Sequence, residues 1–124
     1  MRRLLETLTN IDEDAVAYQA RVESWLSQVE GIKILDKEPD GALILGNYFQ
    51  GVIRLYVRFG KAFVFVSLEA VAGRNRSLLS QKYFSVSEDE KQGLRKLNAI
   101  VKAVKEMMNI VPRFEDSLIR ISGD

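Results

Sequence analysis

The stretch VIRLYVRFGKAFVFVSLE, Val52 to Glu69, decides how this chain folds. Apolar residues recur at every second position on both sides of Gly60, the period of a half-buried β-strand. Gly60-Lys61 suits a two-residue hairpin turn with glycine first, the type II′ pattern. That turn sets Phe59 opposite Ala62, Val57 opposite Val64, Leu55 opposite Val66 and Ile53 opposite Leu68. All of these are apolar, so they form the core face. The other face pairs Arg58 with Phe63, Tyr56 with Phe65, Arg54 with Ser67 and Val52 with Glu69.

That second face is unusual. A solvated sheet face should be polar, yet Tyr56, Phe63 and Phe65 lie on it between Arg54 and Arg58. Three aromatics bury roughly 150–250 Å² each, so together they match the largest apolar patches of soluble monomers. Leaving one phenylalanine in water forgoes roughly 1.5–3 kcal/mol. Something is therefore expected to cover the face: a helix of the same chain, a second copy of the chain, or a different partner.

The flanking sequence extends the hairpin into a sheet. IKILDKE, ALILGNYF, QGVIRLYVRF and KAFVFVSLEAV read as four successive β segments. Their connections are too short for crossovers, which makes an antiparallel meander. Pro39 and Gly41 mark the first turn. A bulge at Gly41 would move that hairpin's register by one residue. AGRNRSLLSQKYFSV then reads as a loop of about fifteen residues, with one helical turn at Leu78-Leu79.

Helices bracket the sheet. Leu4, Leu8, Ile11, Ala15, Tyr18, Val22, Trp25 and Val29 follow a 4-3 spacing. This is a heptad stripe on one long rod or on two helices, with a main helix over 11–29 favoured by the Asn10/Glu13 capping pair. Gly31 ends it. Ser87 and Glu90 form a second capping box, opening a helix to about Met108. Its stripe is Leu94, Leu97, Val101, Val104 and Met108, widened by Ile100 and Met107. The tail over 114–122 suits a helix or a short closing strand, with the strand favoured. The fold class expected is α+β over a single domain, 1–124: N-terminal helix, four-stranded antiparallel meander, long C-terminal helix, short final strand.

Composition limits the chemistry. The chain has no histidine and no cysteine, which removes the usual neutral-pH base, thiol nucleophiles and sulfur-ligated metals. DKEPDG, Asp36 to Gly41, mimics the start of a calcium loop, but Ile44 and Asn47 stand where ligands are needed. No phosphate-cradling glycine motif is present. No enzyme activity, metal or cofactor is expected. No apolar run approaches the ~18 residues of a membrane span, and the N-terminus lacks a signal-peptide core. The expectation is a cytoplasmic protein.

Charge is unevenly spread. Residues 1–40 carry five basic and nine acidic side chains, 41–84 six basic and one acidic, and 85–124 seven of each. The basic middle suits an anionic partner or an acidic helix laid on a basic sheet. Arg74, Arg76 and Lys82 are the candidate anion-binding residues. Arg54, Tyr56, Arg58, Phe63 and Phe65 are the candidate partner-binding residues. Aromatics with arginine form protein–protein hot spots and single-strand nucleic-acid platforms.

The element order, with VIRLYVRFGKAFVFVSLEAVAG before a long helix and LNAIVKAV…VPRFEDSLIRIS as helix into closing strand, resembles the type III secretion chaperone-like fold, including the YbjN-like sensory-transduction-regulator family. That resemblance implies a non-catalytic, often dimeric protein that holds other polypeptides against a sheet. The expected function is a protein-binding or chaperone-like module, homodimeric or with a protein partner, through the aromatic/arginine face. The alternative is nucleic-acid binding by the same face and the 73–86 loop.

Overall fold

A computed structural model describes residues 17–60, 63–85 and 90–115. It is an α+β structure. Helix α1 (17–28) precedes strands β1 (Asp36–Lys37), β2 (Leu43–Tyr48), β3 (Ile53–Phe59), β4 (Phe63–Ala72) and β5 (Asn75–Ser85). Helix α2 (Glu90–Ile110) follows, and a 3₁₀ turn (Val111–Phe114) tightens its end at Pro112. The strands lie in chain order, each antiparallel to the next.

The expected fifteen-residue loop after β4 is instead the fifth strand, with no helical turn at Leu78-Leu79. β4 continues to Ala72, and the chain reverses over Gly73-Arg74, with Ala72 paired to Asn75. Gly73 has φ +62° and Arg74 does not have a positive φ, as a glycine-first type II′ turn requires. The run NRSLLSQKYFS hides its alternation behind a register shift near Leu79, where one extra residue enters β5 between Leu78 and Ser80. Such a bulge exchanges the two faces along the strand.

The glycine-first turn expected at Gly60-Lys61 is not there. Gly60 lacks a positive φ, and its N–H donates to the Phe63 carbonyl at 2.8 Å. The hairpin is therefore shifted by two residues: Phe59 pairs with Val64, Val57 with Val66, Leu55 with Leu68, Arg58 with Phe65, Tyr56 with Ser67 and Arg54 with Glu69. Because side chains alternate with period two, an even shift changes every partner and leaves both faces intact.

The inner face is the core. Ile53, Leu55, Val57, Val64, Val66 and Leu68 are fully buried in one cluster with Val22 and Leu26 of α1 and Leu97, Ile100, Ala103, Val104 and Met107 of α2. Both helices thus lie on one side of the sheet among the described residues, so neither is the internal cover considered for the other side. Val101 and Met108, expected at the centre of the α2 stripe, sit half-buried at its margin. The bulge considered at Gly41 is formed: the Gly41 N–H donates to the Glu38 carbonyl at 2.9 Å, the Glu38 N–H donates to the Ala42 carbonyl at 2.8 Å, and Gly41 takes φ +93°, while Asp40 accepts the Ala42 N–H at 3.0 Å. A second register shift falls between Ile44 and Gly46, where β2 pairs with β3. The Ser87 cap, the N-terminal reach of α1 and all but Phe114 and Glu115 of the closing segment lie outside the described residues. Those two residues continue the helical path.

Candidate functional site

The outer face divides into two parts. In the first, β3 supplies Tyr56 and Arg58, and β4 supplies Ser67 and Glu69. Strand alternation puts these four on one side, and the register places them as neighbours. The Arg58 guanidinium donates two bonds to Glu69, Nε to Oε2 at 2.8 Å and Nη2 to Oε1 at 3.0 Å. Ser67 Oγ donates to the same carboxylate at 2.8 Å. Asp40, from the first turn, approaches Arg58 at 3.7 Å. Such a bidentate fork is stronger than a point contact.

Burial alone would push the Glu69 carboxyl up. The hydrogen bonds from Arg58 and Ser67, with the charges of Arg58 and Arg76, outweigh it and hold the group below the usual glutamate range. The Glu69 bond in turn raises Arg58. Tyr56 lies beneath, with no exposed surface. The Arg58 guanidinium carbon is 4.2 Å from its ring centroid, and that of Arg76 is 5.5 Å away. This cation–π stacking covers a ring that the inner core does not reach. The Tyr56 hydroxyl is buried without a hydrogen-bond partner among the described residues.

The second part is apolar and open. Phe63 and Phe65 of β4 meet Tyr83 of β5, with ring centroids 6.1 Å apart for Phe63–Phe65, 5.7 Å for Phe63–Tyr83 and 6.4 Å for Phe65–Tyr83. These are the spacings of favourable tilted and edge-on pairs. Phe63 is 39% exposed and Tyr83 66%.

The candidate residues therefore divide. Phe63 and Phe65 stay together in the aromatic cluster. Tyr56 and Arg58 are locked into the ion-paired part, and Arg54 lies beyond them, opposite Glu69. The anion trio is not brought together. Arg74 sits at the hairpin tip. Arg76 pairs with Glu38 at 3.6 Å. Lys82 faces the helix side, opposite Val66, and pairs with Glu106 of α2. Sequence reasoning missed Tyr83 and Glu69 as members of the site. Alternation of Gln81, Tyr83 and Ser85 against Ser80, Lys82 and Phe84 is the signal that reveals β5.

Tyr18 and Trp25 of the α1 stripe pack half-buried against the core. Among the described residues no group of three or more metal-ligating side chains forms, and no helix is long and apolar enough to cross a membrane. No family model, curated protein or solved structure matches the chain.

Proposed function

We propose that this protein is a non-catalytic binding module, chaperone-like in holding part of another polypeptide against its sheet, and that it works in the cytoplasm. One observation carries this reading. Phe63, Phe65 and Tyr83 form a contiguous aromatic patch on a sheet face that no described helix covers. Tyrosine and phenylalanine supply large contact area at small conformational cost, which suits them to polypeptide recognition.

The nucleic-acid alternative draws less support. Arg58, Arg76 and Lys82 each already face a carboxylate, so each phosphate contact would first cost an ion pair.

The test is selection of a displayed random-peptide library on the wild-type protein and on the Phe63→Ser, Tyr83→Ser double variant. Enrichment on the wild type that disappears on the variant supports the reading. Equal enrichment on both, or none on either, overturns it. A labelled single-stranded oligonucleotide serves as the counter-probe. Binding that falls steeply with added salt would reinstate the nucleic-acid reading. Mass in solution completes the test, because a dimer closed by this patch would dissociate in the double variant.

A further inference from the structure

Two arginines stack on Tyr56, and they are held differently. Arg58 is fixed by two short bonds to Glu69 and lies 4.2 Å from the ring centroid. Arg76 lies farther off, at 5.5 Å, and its one ion-pair partner among the described residues is Glu38, at 3.6 Å. The charge of Arg76 also acts on Glu69, but both oxygens of that carboxylate already accept bonds from Arg58 or Ser67.

Three observations make Arg76 the movable member of the pair. The first is its origin. Asn75 to Leu78, where β5 begins, are all exposed, so the Arg76 side chain can swing outward without disturbing the core. The second is the tie. The Arg76 and Glu38 side chains are 41% and 22% exposed, and a single contact within reach of water is weak and screened by salt. The Glu38 backbone is pinned at the base of the first turn by its bonds with Ala42 and Gly41, so only side chains need to move. The third is what lies beneath. The Tyr56 hydroxyl is buried with no hydrogen-bond partner among the described residues. A buried donor without an acceptor is destabilising, and opening relieves that cost, because water or a ligand carbonyl can then accept.

Opening also changes the binding face. The register sets Tyr56 opposite Ser67 and Arg58 opposite Phe65, which makes Tyr56 and Phe65 diagonal neighbours on the outer side. Phe65 already touches Phe63 and Tyr83. A Tyr56 ring freed on one side therefore lengthens the same aromatic patch.

We propose that Arg76 is a gate on the aromatic patch, latched shut by Glu38 of the first turn. Closed, it covers the Tyr56 end. Open, it bares the Tyr56 ring and hydroxyl, and a bound polypeptide segment gains a further ring and a hydrogen-bond donor. This regulation rests on the binding-module reading and deepens it. A segment that needs the open gate binds in proportion to the open fraction. While that fraction is small, whatever releases the latch tightens binding by the same factor.

The experiment is hydroxyl-radical footprinting of the full chain, read by mass spectrometry at Tyr56, with the exposed Tyr83 as internal reference. Wild type, Glu38→Gln and Arg76→Ala are compared at low and at high salt. The expected result is slow oxidation of Tyr56 in the wild type at low salt. It should rise by about threefold or more in Glu38→Gln, and in the wild type at high salt, with the largest rise in Arg76→Ala. Salt should add little in Glu38→Gln, where the latch is already gone. Urea unfolding of the same proteins reports global stability. A peptide enriched on the wild type is then titrated into wild type and Glu38→Gln. Its dissociation constant should fall by the factor by which Tyr56 oxidation rises.

Protection of Tyr56 that survives in Arg76→Ala overturns the gate, because Arg76 is then not the cover. Protection that survives in Glu38→Gln and at high salt overturns the latch. A rise at Tyr56 that tracks a loss of global stability overturns both, since the ring is then reached by unfolding. Faster Tyr56 oxidation with unchanged peptide affinity overturns the regulation and leaves the binding-module reading standing. Absence of any enriched peptide overturns that reading and the regulation with it.

Discussion

The two parts of the outer face are built from the same strands and reach opposite outcomes. Around Tyr56 the sheet closes itself. Arg58 stacks on the ring, Glu69 and Ser67 hold the guanidinium, and no surface of the ring is left to solvent. Around Phe63 no cation of the described residues stacks on a ring, and the aromatics pack on one another. The difference is one of partners. Arginine supplies a flat, weakly hydrated cap when a carboxylate fixes it, and Glu69 is the only acid among residues 41–84. One part of the face is therefore closed structure, and the other stays exposed.

Removing the fixing carboxylate should break the contrast most strongly. Glu69→Ala leaves Arg58 over Tyr56 with only Asp40 nearby, and a loss of about 2–4 kcal/mol is expected in urea unfolding. The same group sets a pH dependence. Its folded carboxyl titrates below its unfolded value, so its stabilisation is fully present above the ordinary glutamate range and is lost as the pH falls through the lower folded value. Wild type should lose more stability than Glu69→Ala over that acid window. Parallel curves would show that the ion pair is not structural.

The turns give a smaller effect that tests how β5 is delivered to the patch. Gly73→Ala forces a side chain into φ +62° and should cost about 1–2 kcal/mol. Gly60→Ala should cost less than about 1 kcal/mol, since Gly60 has no positive φ and its new methyl would press on the edge of the Phe65 ring at 3.0 Å and meet the Phe63 carbonyl oxygen at an ordinary 3.5 Å. The reverse order in a thermal or urea series would place the glycine-first turn back at Gly60.

The smallest effect separates recognition from packing. Tyr83→Ser removes a ring that is mostly in solvent and should change stability by less than about 1 kcal/mol. A loss comparable to that of Glu69→Ala would mean that the aromatic part is also internal structure.

Alternation in VIRLYVRFGKAFVFVSLE made the two faces legible, and they stayed legible although the turn was misplaced. A two-residue slip preserves parity, so Leu55 and Val57 remain inside and Tyr56 and Arg58 outside whichever partner they meet. The long α2 and the turn at Pro39–Gly41 were equally readable, because apolar periodicity, proline and glycine act locally. β5 was not. Its bulge switches the inward set from one parity to the other near Leu79, so no single alternating pattern spans the strand. Tyr83 was lost to the site for that reason.

By itself, then, the sequence determined which residues turn inward and which outward on the central hairpin, since side-chain direction depends only on the period of the backbone. Tertiary structure alone decided what each outward residue meets. Whether a cationic side chain stacks, pairs or stays in solvent depends on carboxylates brought from the first turn and from α2: Asp40 to Arg58, Glu38 to Arg76, Glu106 to Lys82. Those distances are set by register and by helix placement, which no local pattern contains.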